Sequence, residues 1–137
     1  EHPVRVGNFA KVVGTFERTL VTPSPFDASL KGGKGALKEK EKRGLKTFIQ
    51  VGCTACHLGQ YLGGQMYQKF GIVEPYWNYT KSEMIDEGRY VVTKNESDKY
   101  LFKVPVLRNV AKTAPYFHDG SIDKMEDAVW IMGKVQL

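Results

Sequence analysis

The stretch Gly52-Cys53-Thr54-Ala55-Cys56-His57 decides the reading of this chain, because it holds both cysteines among the 137 residues. Three chemistries use two thiols at this spacing. A thioredoxin-type redox pair needs a βαβ context, and no such alternation surrounds it. A zinc site needs a second ligand pair at zinc spacing, and the other histidines, His2 and His118, stand alone. The third is a c-type haem attachment site. Two residues between the cysteines let both sulfurs reach the two haem vinyl groups, while the following imidazole turns toward the iron. The pentapeptide uses every cysteine in the chain, which favours one covalently bound haem c.

Working outward, residues 36–50 read as a helix that delivers the chain into Cys53. Leu37, Leu45, Phe48 and Ile49 face the core, and residues 38–43 face water. Gly44 inside it costs about 1 kcal/mol relative to Ala, and either simple tolerance or close helix packing accounts for it. Further upstream Val6, Phe9, Val13, Phe16 and Leu20 recur at helical steps and predict an amphipathic helix over 6–20. It stops before Thr22-Pro23-Ser24-Pro25. Phe26 and Leu30 mark a short anchored turn, and Gly32-Gly33-Lys34-Gly35 a flexible break.

After His57 the sequence becomes loop-like, broken by Gly59, Gly63, Gly64, Gly71 and Pro75. Tyr61, Met66, Tyr67, Phe70, Tyr76, Trp77 and Tyr79 are scattered through it. A loop so long and aromatic needs something to pack on, and a haem plate would supply it. Pro105 and Pro115 exclude long helices between 94 and 121. Asp123 with Glu126 predicts a capping box, opening a last helix with Met125, Ala128, Val129 and Met132 on one face and Gly133 at its end. The fold class is therefore all-α: a cytochrome c-like helical domain over 1–137, with long irregular loops wrapped around one haem.

Composition sets outer bounds. The chain is 42% hydrophobic, 12% aromatic and 26% charged, which is globular and not disordered. No apolar run is long enough to span a membrane. Twenty Lys and Arg against fifteen Asp and Glu give +5, a balance open to nucleic acid, anionic membrane or an acidic protein. The densest basic stretch, 31–46, is interrupted by Glu39 and Glu41 and reads as a solvated helix face, so no nucleic-acid role is assigned. The chain starts at Glu1 and shows no secretory leader, so a processed product or a fragment is expected.

The second iron ligand decides the chemistry. A Met thioether raises the potential and closes the coordination shell, a second His lowers it, and an open position admits peroxide or gas. The candidates are Met66, Met84, Met125, Met132, His2 and His118. Met66 stands only nine residues past His57, and Met84 lies in a polar stretch. Spacing puts Met132 only slightly ahead of Met125 and leaves the choice open.

Several strings, in order along nearly the whole chain, resemble the carboxy-terminal haem domain of the bacterial di-haem cytochrome c peroxidases. They are Phe16-Glu17-Arg18-Thr19-Leu20-Val21-Thr22-Pro23, Lys42-Arg43-Gly44-Leu45-Lys46, the haem motif itself, Gly88-Arg89-Tyr90, Phe102-Lys103-Val104-Pro105 and Leu107-Arg108-Asn109-Val110. Thr113-Ala114-Pro115-Tyr116-Phe117-His118-Asp119-Gly120, Glu126-Asp127-Ala128-Val129 and Ile131-Met132-Gly133 complete the set.

The resemblance implies that Met132 is the second ligand of a high-potential haem. Related di-haem enzymes that oxidise tryptophans of a partner protein carry Tyr there, so Met favours the peroxidase branch. It also implies a calcium ion between two haem domains, held in part by the backbone carbonyls of Thr113 and Pro115. Residues 1–22 would lie near the boundary with the other domain, which carries the peroxide-reducing haem. This chain has one haem motif, so no catalytic residue is assigned to it. The implied partners are that second haem domain and a small electron donor, a cytochrome c or a cupredoxin. The implied location is the periplasm. A stand-alone mono-haem cytochrome, carrier or weak peroxidase, is the alternative, with homodimerisation through an apolar patch.

Four further residues carry paired readings. Arg108 is either the partner of a haem propionate or half of an exposed salt bridge. His118 is either a polar contact near a haem propionate or the inter-domain region, or a histidine hydrogen-bonded inside a loop of aromatics. Trp77 and Trp130 either lie along an electron path or simply pack.

Overall fold

A computed structural model describes residues 4–137, which form two compact units, one ending at Lys42 and the other spanning Arg43–Leu137. His2, a candidate ligand, lies outside the described residues. No described helix is long and apolar enough to cross a membrane.

The first unit opens with α1, Val6–Glu17. Its apolar residues follow the predicted period, and the helix ends a turn earlier than expected, as Thr19 and Leu20 close on Phe16 and Glu17 in turns. None of α1 is buried, and Phe9 remains 70% exposed. Helix α2, Pro25–Leu30, begins where a loop was expected. Pro25 sits at the first turn, where its missing N–H costs nothing. The Asp27 carboxylate accepts from the Ser24 backbone N–H at 2.7 Å and the Ser24 hydroxyl at 2.8 Å. That reciprocal cap nucleates a helix too short to form on propensity alone.

Helix α3, Glu39–Gln50, starts three residues later than the pattern predicts. Residues 33–36 form a turn instead, and Glu41 reaches back to accept from the Lys38 N–H at 2.7 Å, fixing the start there. In the second unit's part of this helix Leu45 and Phe48 are half-buried as expected. Ile49, assigned to the core face, is 54% exposed, so that assignment fails. A Cβ added to Gly44 would meet nothing within 4 Å, which leaves tolerance as the account of this glycine.

The second unit is built on a ribbon that no alternation in the sequence announced. Strand β1, Tyr67–Lys69, runs antiparallel to β2, Leu101–Lys103, with Gln68 opposite Phe102. Each is only three residues long, too short for a period of two to be read. Backbone bonds from Phe70 N–H to Tyr100 and from Val104 N–H to Met66 extend the pairing at both ends. Between the strands lie two single-turn helices, α4, Trp77–Thr80, and α5, Tyr90–Thr93. The all-α class holds with this ribbon added.

Helix α6, Met125–Val135, corrects three expectations. Asp123 makes no cap: Lys124 precedes the helix in extended backbone, and no side chain bonds the first turn. Glu126 and Asp127 there favour the helix dipole instead. Gly133 does not end the helix, which runs on because Val135 is fully buried and its burial outweighs the about 1 kcal/mol cost of an interior glycine. Val129 is 65% exposed, and the buried face is Ala128, Ile131 and Val135.

The core joins Phe70, Tyr76, Ile131 and Val135, with Trp77, Phe102, Phe117 and Met132 packed against it. Phe70 and Tyr76 stack at 4.8 Å. The buried Tyr76 hydroxyl donates to the Asp86 carbonyl at 2.9 Å and accepts from its N–H at 3.0 Å. Tyr76→Phe would leave both Asp86 backbone groups without this partner. The expected cost is about 2 kcal/mol, seen as a fall of about 1 M in the urea midpoint at unchanged slope.

Candidate functional site

The chain enters the cysteine turn through Gly52, whose φ of 91° lies in the left-handed region, as helix ends often require. Cys53–Ala55 then make one 3₁₀ turn. The Cys53 carbonyl accepts from the N–H groups of Cys56, at 3.3 Å, and His57, at 2.9 Å. Two thiols and an imidazole thus leave one tight turn. Both cysteines are free and half-buried, and His57 is buried.

The imidazole is oriented by the loop that follows. His57 Nδ1 lies 3.3 Å from the Leu62 carbonyl oxygen. With Nδ1–H donating to that oxygen, Nε2 keeps its lone pair for a metal, the arrangement in which a carbonyl fixes the tautomer of a ligating histidine. The Phe48 ring sits 6.3 Å from the imidazole. Loop 58–64 is itself anchored. Gly63 N–H donates to Leu58 at 3.0 Å, Gly64 N–H to Val104 at 2.8 Å and Leu107 N–H to Leu62 at 3.3 Å.

Arg108 completes that anchoring, since its Nε donates to the Gln60 carbonyl. His118 lies among aromatic rings. Its ring stacks on Phe102 at 4.3 Å and meets Tyr76 edge-on at 5.5 Å, and its Nε2 lies 3.6 Å from the Asp86 carboxylate. Beside it, burial works to raise the Asp119 carboxyl. Hydrogen bonds from Ser82 and Ser121 and the nearby His118 outweigh that and hold it below the usual range.

The methionines separate by environment. Met84 is 84% exposed on a loop, and Met66 is exposed at the start of the ribbon. Met125 and Met132 are half-buried on α6, and Met132 packs against the Phe70–Tyr76 cluster. Trp77 packs in that cluster on Tyr100 at 4.9 Å, whereas Trp130 is 57% exposed and meets Tyr79 edge-on at 5.6 Å. Thr113 and Pro115 lie on an exposed loop.

The donor set separates the three readings of the cysteines. Burial pushes the Cys53 thiol up, the opposite of the depressed pKa of a redox nucleophile. The only described sheet is an antiparallel ribbon, not a βαβ unit. Among the described residues no group of three or more His, Cys, Asp or Glu is placed to hold a metal ion. A buried, oriented imidazole beside two free thiols remains, flanked by exposed apolar Val51, Leu58 and Val106. These residues fit a covalently attached haem, whose apolar faces would cover such side chains. The sequence pointed to Cys53, Cys56 and His57. It missed Leu62 and Gly63, for which the adjacent Gly63-Gly64 pair was the available signal of a close backbone approach.

Comparison with known proteins follows the same direction. No family profile matches the chain. The chain is 51% identical over 137 residues to the cytochrome c551 peroxidase of Pseudomonas aeruginosa, covering 98% of this chain and 39% of that protein. It is 46% identical over 135 residues to the cytochrome c551 peroxidase of Nitrosomonas europaea, with the same two shares. Among solved structures it resembles a MauG-like protein associated with microbial copper homeostasis. The TM-score is 0.71 at 25% identity, over 94% of this chain and 40% of that one.

Proposed function

The chain belongs to the bacterial di-haem cytochrome c peroxidase family, spanning 39% of the length of the two peroxidases described above, and from that premise we propose that it is the family's high-potential electron-transferring haem domain. The observation that carries this is the buried His57 imidazole, oriented by the Leu62 carbonyl on the turn that holds two free thiols. Cys53 and Cys56 would form the thioether links, and His57 Nε2 and the Met132 thioether would hold the iron. A haem so ligated supplies reversible one-electron exchange. The protein's part is to orient the imidazole, exclude water from it with Phe48 and loop 58–64, and keep the thioether in place.

In the whole enzyme the electron comes from a small cytochrome c or cupredoxin and passes to a peroxide-reducing haem outside these residues. The setting is periplasmic, where such haems are attached. Backbone carbonyls suit calcium, but Thr113 and Pro115 offer two oxygens against the six to eight that the ion takes. Its other ligands would come from outside this chain.

Two measurements test the reading. Intact mass of the loaded protein is expected to show one haem per chain that resists acidified acetone. The double change Cys53→Ser with Cys56→Ser should leave haem fully extractable. The loaded 137-residue chain is also expected to turn over peroxide only at a slow background rate. Rapid turnover would instead establish the mono-haem peroxidase.

A further inference from the structure

Helix α6 carries Met132 but has no side-chain cap at its start. Its other end is held tightly. The Gln136 N–H donates to the Met132 carbonyl at 3.0 Å, so the two residues are one turn apart and move together. The Gln136 side chain then makes three bonds to a distant part of the chain. Its Oε1 accepts from the N–H groups of Gly71 at 3.0 Å and Ile72 at 3.1 Å. Its Nε2 donates to the Lys69 carbonyl at 3.0 Å. A fourth bond, from Val73 N–H to the Val135 carbonyl at 3.0 Å, lies alongside. Lys69 is the last residue of β1, so the clamp fastens the helix to the paired ribbon.

We propose that Gln136 is a positioning residue that holds Met132 on the iron by locking α6 to the ribbon. This rests on reading Met132 as the sixth ligand. A thioether is a weak ligand, and its occupancy is an equilibrium between bound and detached states. Detachment needs the helix to shift or the side chain to swing away. A carboxamide that satisfies two donors and one acceptor on a fixed strand end opposes the first of these. An external ligand reaches the iron only in the detached state, so its apparent affinity reports that population.

The test is an imidazole titration of the ferric, haem-loaded full chain, followed by the far-red methionine-to-iron band. Gln136→Ala is expected to keep the band but bleach it at about tenfold lower imidazole, since three hydrogen bonds are removed. Gln136→Glu retains both acceptor contacts and loses the donor to Lys69. A smaller shift of about threefold is expected from it, and it carries the test should Gln136→Ala fail to fold. Met132→Leu is the control for the ligand itself. If Met132→Leu abolishes the band while both Gln136 variants titrate like the parent, the clamp proposal falls and the ligand assignment stands. If the band survives Met132→Leu, the ligand assignment falls and the role of Gln136 at the iron falls with it.

Discussion

Met132→Leu in the haem-loaded chain is expected to abolish the far-red charge-transfer band and lower the midpoint potential by on the order of 200 mV, within the roughly 0.8 V that axial ligation spans. The thioether favours ferrous iron, and its loss leaves water or an open position that favours ferric iron. Leucine is the informative replacement because it conserves volume. Met132 is half-buried against Phe70, Tyr76, Ile131 and Val135, so alanine would add a cavity cost of about 2 kcal/mol or more. With leucine the fold is expected to survive at a cost under about 1.5 kcal/mol, and the spectral change then reports ligation alone. Met125→Leu, on the same helix and also half-buried, should leave band and potential unchanged. A potentiometric titration of the two variants beside the parent decides between the two methionines, which sequence spacing left nearly level.

That near tie shows which parts of this molecule its sequence makes legible. The haem motif is legible because its chemistry is local: three donors within five residues need no tertiary partner to be recognised. Helices α1, α3 and α6 are legible because their apolar period extends over three turns. Their ends are not, since these depend on single contacts. Glu41 sets the start of α3 by bonding Lys38, and burial of Val135 carries α6 past Gly133. The ribbon is illegible because Tyr67 and Lys103 find each other across a gap that no short pattern spans. The same holds for Gln136, whose three partners lie on residues 69–72. Nothing in its own neighbourhood marks it.

Position 63 is where a single methyl group is expected to do the most damage to the fold. Gly63 has a φ of 132°, a conformation left almost entirely to glycine. A Cβ built there would lie 2.1 Å from the Pro105 carbonyl oxygen, 2.9 Å from its carbon and 3.4 Å from His57 Nδ1. The obstacle is backbone, so no rotamer change relieves it. Relief requires loop 58–64 to part from residues 104–107, which breaks the Gly64–Val104 and Leu107–Leu62 bonds and withdraws the Leu62 carbonyl from His57. Backbone strain of about 1–3 kcal/mol and two lost hydrogen bonds at about 1 kcal/mol each put Gly63→Ala at about 4 kcal/mol. Gly44→Ala is the contrast, since an added Cβ there meets nothing within 4 Å in the interior of α3. It is expected to stabilise by up to about 1 kcal/mol. Urea unfolding of the two variants should therefore move in opposite directions. Because the strained loop also holds the imidazole, Gly63→Ala alone should perturb the Soret spectrum of whatever folded protein remains. A Gly63→Ala variant with parental stability would mean that the approach of Pro105 to this loop does not orient His57.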